Sequence, residues 1–171
     1  WDSGDTCYDQ TSYTGWHSGY PDAQARVDIK SKREIPWESN LPFYLADFVD
    51  NQEQPLAICP RQLLKKTIGE LEQEGFKALV GCEFEWFNFQ ETSQTLADKN
   101  FHKPQQLTPG MFGYSLLRAS EYENYFADLM NFMNDYRVPL EGLHTETGPG
   151  VYEAAIMASS PLEAADRAVL F

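Results

Sequence analysis

The stretch Leu140-Glu141-Gly142-Leu143-His144-Thr145-Glu146-Thr147-Gly148-Pro149-Gly150-Val151-Tyr152-Glu153 decides how this chain folds. Strand-like segments flank a Gly-Pro-Gly break, the pattern of an antiparallel hairpin over residues 138–146 and 151–157. A two-residue turn at Pro149-Gly150 sets Glu146 directly opposite Glu153, with His144 on the same face as Glu146. Opposed Cβ atoms lie about 4.5–5.5 Å apart, and like charges there repel. A turn shifted by one residue removes that opposition and leaves both carboxylates near the turn.

A second acidic pair precedes it in Gly81-Cys82-Glu83-Phe84-Glu85-Trp86-Phe87. Strand side chains alternate between faces, so Glu83 and Glu85 share one face while Phe84 and Trp86 pack on the other. Taken alone, Glu-x-Glu on a strand also describes an ordinary solvated sheet face. Two paired-carboxylate sites, one with a histidine, point instead to a hard cation. Oxygen-rich ligation with little sulfur suits Mg²⁺ or Mn²⁺ better than Zn²⁺. His17 and His102 lack such a context and read as surface residues.

Outward from these motifs, residues 26–29 and 43–48 read as short strands around Ile35-Pro36-Trp37. From Pro60, a first-turn proline, Leu64, Ile68 and Leu71 recur at helical spacing until Gly75 stops the helix. Residues 77–90 are strand-like, and residues 91–110 are polar and read as loop. Ser120 and Glu123 predict a capping box before a helix with a Tyr125, Phe126, Leu129, Met130 and Met133 stripe, which is core. Ser160, Pro161 and Glu163 repeat the helix-start signals. The order is strands, helix, strand, helix, hairpin, helix. Because the tight connection is an antiparallel hairpin, the class is α+β rather than doubly wound α/β.

The 171 residues suit one domain or one and a part, and 11 Gly with 10 Pro exclude a collagenous chain. An aromatic content of 14% argues against disorder. With 26 acidic against 13 basic side chains, the net charge of −13 argues against nucleic acid or an anionic membrane as partner. Apolar runs fall well short of the roughly 18 residues a spanning helix needs. Three cysteines without Cys-x-x-Cys spacing, Cys7, Cys59 and Cys82, suit a reduced, cytoplasmic setting and small buried side chains. The ends, Trp1 and an amphipathic pattern stopping at Phe171, lead us to expect a fragment.

Glu83-Phe84-Glu85 followed by aromatics, then His-x-Glu-x-x-Pro-Gly-x-x-Glu ending at Glu153, resembles the glutamine synthetase family and its γ-glutamyl-amine ligase relatives. Asp9, Ser12 and Trp16 resemble the family's ammonium-site loop. Gly19-Tyr20-Pro21-Asp22 through Asp28, with Ile35-Pro36-Trp37, resembles the strand region after it. Pro60-Arg61 resembles the family's helix opening, and Tyr114, 32 residues before Glu146, stands where the family keeps an active-site tyrosine.

The resemblance implies that residues 1–54 are the remainder of an N-terminal β-grasp domain. Residues 55–171 would be the first part of a catalytic domain with a curved antiparallel sheet. It implies that Glu85, Glu146 and Glu153 share one Mg²⁺ or Mn²⁺, and that Glu83 serves the ion on the nucleotide phosphates. Glu141 matches a residue at the nucleotide, ATP; Asp9, Ser12, Tyr114 and Glu146 match the ammonium pocket. The implied reaction joins glutamate and ammonia, at the expense of ATP, through γ-glutamyl phosphate. A ring-shaped homo-oligomer is implied, with Asp9 and Ser12 acting across a subunit interface. Val151 departs from the pattern, which usually carries Gln there. The family's later histidine ligand, glutamate-binding arginines and final Glu ligand belong to a region these residues do not include. Three alternatives stay open: a γ-glutamyl-polyamine or other amine ligase, a catalytically silent member kept for assembly, and an unrelated acidic α+β domain.

Overall fold

The computed structural model describes residues 13–171, so Asp9 and Ser12 lie outside the described residues. The elements in chain order are β1 (Gln24–Val27), β2 (Arg33–Ile35), β3 (Leu41–Phe43), β4 (Ala46–Val49), α1 (Pro60–Gln73), β5 (Val80–Phe87), α2 (Ser93–Asp98), α3 (Leu116–Ser120), α4 (Glu123–Asp135), β6 (Leu140–Thr145), β7 (Val151–Ser159) and α5 (Pro161–Leu170). The mixed helix and sheet content agrees with the α+β expectation. Among the described residues no helix is long and apolar enough to cross a membrane.

Two compact units interleave along the chain: residues up to Lys32 with Tyr44–Lys77, and Arg33–Phe43 with Ala78–Phe171. In the first unit β1 and β4 pair antiparallel, from Gln24 opposite Val49 to Val27 opposite Ala46. α1 opens on Pro60, whose missing N–H costs nothing in a first turn, and ends before Gly75 at φ +84°. Arg61 and Lys65, one turn apart on α1, meet the carboxylates of Asp28 and Asp47; Arg61 Nη1 is 2.9 Å from each.

The second unit is built on a three-stranded antiparallel sheet in the order β5-β7-β6. One face packs on α4 and α5. Met133, Tyr136, Val138, Leu140, Ala154 and Ile156 form its buried core, joined by Phe84, Trp86, Leu129, Leu143 and Phe171. The β2–β3 hairpin adds Trp37, whose ring meets Tyr136 edge-on at 5.2 Å. With β5 on one side and β6 on the other, β7 is the central strand, so its outward side chains have neighbours on both flanks.

Several local expectations change. The strand expected over 43–48 divides between β3 and β4, which pair with different partners. Residues 29–31 form a 3₁₀ turn capped by the Asp28 carboxylate, so the first strand ends at Val27 and starts earlier than expected, at Gln24. The 91–110 segment holds α2, closed by a reciprocal Thr92–Thr95 capping box. Glu91 fastens this segment by accepting from Thr95 Oγ1 and the Gln105 amide, each at 2.6 Å, and by pairing with Lys99. Those donors, the Lys99 hydrogen bond first, hold its carboxyl down at about 2.

Neither predicted capping box with glutamate closes. Ser115 caps α3, and the Ser120 hydroxyl donates to the Leu116 carbonyl instead. At α5, Ser160 is the N-cap residue and Pro161 takes the first turn, but Glu163 is drawn to Arg33 and Arg167, both at 2.9 Å. Cys59 is buried and Cys82 half-buried, both as free thiols; His17 and His102 are exposed.

Candidate metal centre

Packing of one sheet face decides what the other presents. Phe84 and Trp86 turn into the core, where the Trp86 ring stacks on Tyr152 at 6.3 Å and its Nε1 donates to the Tyr125 hydroxyl at 3.3 Å. Strand alternation then puts Glu83 and Glu85 on the opposite face. On β7, buried Tyr152 and Ala154 place Glu153 on that same opposite face. Glu153 is the register partner of Glu85 on β5 and of His144 on β6.

This register corrects the expected opposition of Glu146 and Glu153. The turn is four residues long rather than two: the Glu146 amide donates to the Val151 carbonyl at 2.9 Å, and the Val151 amide to the Gly148 carbonyl at 3.3 Å. Gly148 and Gly150 both take positive φ, +140° and +75°. Gly150 is also held by the residue just after β5, because its carbonyl accepts from the Asn88 amide at 2.8 Å. The turn is thereby widened, and His144 takes the place opposite Glu153. Glu146 remains on the same face, just past the end of β6.

His144, Glu146 and Glu153 each offer a ligand atom within 4.8 Å of the others. His144 Nε2 is buried without a satisfactory hydrogen bond, 3.4 Å from Glu146 Oε1 and 3.5 Å from Glu153 Oε1. Ligands of an octahedral Mg²⁺ at ~2.1 Å lie roughly 3–4 Å apart, so a small closure of these three side chains would enclose a cation. Two carboxylates with a buried imidazole nitrogen aimed between them form a donor set that a divalent cation can take. The residues therefore fit a divalent cation.

The electrostatics divide the two glutamates. Burial raises the Glu153 carboxyl above the ordinary range, and the charges of Glu83 and Glu146 with a Glu85 hydrogen bond add to this, against the His144 attraction. Glu146 moves the other way. A hydrogen bond from the Tyr114 hydroxyl lowers it, as does the Thr147 amide at 2.9 Å, against the cost of burial. The same contact raises the Tyr114 phenol. The Tyr114 ring stacks on His144, with centroids 4.9 Å apart and planes 24° apart.

Of the residues singled out in the sequence, the structure gathers Tyr114, Glu146 and Glu153, with Glu85 opposite Glu153 and Glu83 two positions along β5. Glu141 stands apart from this group. It is the extra residue of a β-bulge, where Leu140 faces Ile156 and Gly142 faces Ala155. It lines a cavity of about 510 Å³ with residues of α3 and α4. The resemblance assigns His144 no role, although its two-residue spacing from Glu146 already puts it on the face of the site; Thr145 carries no signal in the sequence, because its partners are loop backbone.

This antiparallel sheet, with its acidic outer face and a pair of helices over its core, lies in a segment whose class the family comparison defines: the chain belongs to the glutamine synthetase family. Residues 57–171 match the family's model, "Glutamine synthetase, catalytic domain". Among particular relatives, the chain is 52% identical over its whole length to type-1 glutamine synthetase 2 of Dictyostelium discoideum, of which it covers 33%. It is 31% identical over 99% of its length to a glutamate–isopropylamine ligase of a Pseudomonas species, covering 37% of that protein. The solved structure of apo GmaS without ligand superimposes with a TM-score of 0.74 at 20% identity, over 90% of this chain and 35% of that one. The Plasmodium falciparum glutamine synthetase does so with 0.68 at 16%, over 85% and 33%. These last two likenesses concern the fold. The chain spans about a third of the length of the curated relatives just named.

Proposed function

We propose that the protein to which these residues belong is an ATP-dependent ligase that joins an amine, foremost ammonia, to the γ-carboxyl group of glutamate. The observation that carries this reading is the convergence of His144, Glu146 and Glu153 on the sheet face that also bears Glu83 and Glu85, in a chain of this family. In this reading residues 1–54 are the remainder of a β-grasp domain and residues 55–171 the opening part of the catalytic domain. The protein works as a homo-oligomeric ring.

Glu85, His144, Glu146 and Glu153 would hold one Mg²⁺ or Mn²⁺, and Glu83 would serve the ion at the ATP phosphates. When bound, such ions neutralise charge on the phosphoryl oxygens. A γ-carboxylate oxygen of glutamate attacks the γ-phosphorus of ATP and ADP leaves. The amine nitrogen then attacks the acyl carbon of γ-glutamyl phosphate, and inorganic phosphate leaves. A cationic amine must lose a proton to become a nucleophile, which calls for an ionised carboxylate beside it. Glu146 suits that task, since the Tyr114 hydroxyl and the Thr147 amide favour its charged form. Asp9 and Ser12 complete the pocket in this scheme, and Glu141 contributes to the nucleotide site.

Amine identity is the point on which a second reading has support. The glutamate–isopropylamine ligase and a γ-glutamylethanolamide synthetase of Streptomyces coelicolor are both relatives. Phosphate release from ATP by the intact protein, with Mg²⁺ and glutamate, tests both readings. Release that requires ammonium supports glutamine formation; release that ignores ammonium and follows isopropylamine or ethanolamine supports the second. No release with any amine overturns both.

A further inference from the structure

We infer that Thr145 is a positioning residue, whose hydroxyl sets where Tyr114 stands over His144 and Glu146 and so shapes the wall that the amine meets. The inference rests on the function proposed above and adds to it a residue with no place in the ligand set. Because His144 and Glu146 face outward, the residue between them must face the core side of β6. Thr145 does so and is 3% exposed. A valine of the same shape would satisfy the packing there. The hydroxyl is explained by what it bonds: it donates to the Phe112 carbonyl and accepts from the Ser115 amide, both at 2.9 Å. The Thr145 carbonyl accepts from the Tyr114 amide at 2.6 Å. One buried residue therefore ties the backbone of 112–115 to the end of β6 by three hydrogen bonds.

Tyr114 needs such a clamp. Its side chain is 70% exposed, and its backbone has φ +57°, a conformation disfavoured for tyrosine by about 1 kcal/mol or more. The loop is stiffened from within, since the Ser115 hydroxyl caps α3 and the Arg118 guanidinium lies 4.7 Å over the Phe112 ring. It is packed against the site, because a Cβ on Gly113 would come within 3.7 Å of the Glu146 backbone. Stiffness keeps the loop's own shape. The bonds to Thr145 give it a fixed origin on the strand that carries His144.

The test uses the intact protein with 3-fluorotyrosine at position 114, in wild-type, Thr145→Val and Thr145→Ser forms. Bound Mn²⁺ should broaden the fluorine resonance strongly in the wild type. In Thr145→Val, Mn²⁺ affinity should stay within about twofold while the broadening falls and the amine KM rises by about tenfold, the scale of one lost hydrogen bond to a charged group. The glutamate KM should not move, and Thr145→Ser should restore both readouts. Unchanged broadening and amine KM in Thr145→Val would overturn the inference. So would Mn²⁺ affinity, glutamate KM and amine KM all worsening together, the mark of a merely structural role. A wild-type protein that binds no Mn²⁺ overturns the proposed function itself and the inference with it. If the valine variant does not fold, Thr145→Ala carries the same comparison.

Discussion

Glu85 and Glu153 are register partners across the β5–β7 pair, two carboxylates directly opposed in an antiparallel sheet. Such opposition costs a sheet stability unless a cation or a shared proton relieves it. The Glu153 carboxyl is raised, with burial first and the Glu85 hydrogen bond among its causes, the direction that favours a shared proton. In Glu153→Gln the opposition is gone, and so is one of the proposed ligands. Without metal, the intact variant should be as stable as the wild type or more so, by roughly 0.2–1 kcal/mol. Mn²⁺ should raise the wild-type melting temperature and leave the variant's unchanged. An equal Mn²⁺-dependent rise in both would sink the metal assignment.

How far the sequence reaches depends on the range of the forces involved. The face shared by Glu83 and Glu85 is legible because strand alternation is local, and Phe84 and Trp86 mark the buried side. The hairpin's existence is legible from Gly148-Pro149-Gly150. Its register is not, because the turn is shaped by Asn88, some sixty positions earlier, bonding to Gly150. Glu163 satisfies a local capping pattern, yet a distant guanidinium, Arg33, wins its carboxylate. The polar run 91–110 conceals α2 because its cap is a Thr92–Thr95 pair rather than a serine with a glutamate. Thr145 shows the same limit at the site: its neighbours in sequence explain its direction, and only the loop packed against it explains its hydroxyl.

Gly150 packs tightly against the residues that follow β5. A Cβ there would lie 2.6 Å from the Asn88 carbonyl oxygen and 3.2 Å from Gln106 Cβ, on a residue at φ +75°. Backbone cannot yield as a flexible side chain does. Gly150→Ala should therefore destabilise the intact protein by about 2 kcal/mol or more, combining positive-φ strain with overpacking. It should also weaken Mn²⁺ binding, since the turn sets Glu146 beside His144. A urea midpoint equal to the wild type's would contradict this account of the turn.

Tyr114→Phe separates the hydroxyl from the ring. The stacking on His144 can persist, while the hydrogen bond to Glu146 is lost. A hydrogen bond to a charged acceptor contributes roughly 1.5–3 kcal/mol, so the amine KM should rise by about tenfold or more. Because the phenol is not among the proposed ligands, Mn²⁺ affinity should change by less than about threefold. Calorimetric titration with Mn²⁺ beside steady-state kinetics tests this; an amine KM equal to the wild type's would remove Tyr114 from the acceptor pocket.

The cluster that Asp28 and Asp47 form with Arg61 and Lys65 of α1 makes stability depend on acid in a stated direction. Burial alone would raise both carboxyls. At Asp47 the Lys65 and Arg61 hydrogen bonds outweigh it, and at Asp28 the Arg61 hydrogen bond and Lys30 amide do so, leaving both below the ordinary value. A carboxyl lowered on folding contributes its stability above its unfolded pKa, about 3.9 for Asp, and loses it as pH falls through the lower folded value. The wild-type urea midpoint should therefore drop as pH falls below about 4, and part of that drop should be missing in Asp47→Asn. At neutral pH the variant should be less stable by roughly 1–3 kcal/mol, because Arg61 and Lys65 lose a buried partner while Lys65 keeps some access to water. Parallel midpoint-versus-pH curves for the two proteins would show that this cluster does not carry the acid sensitivity.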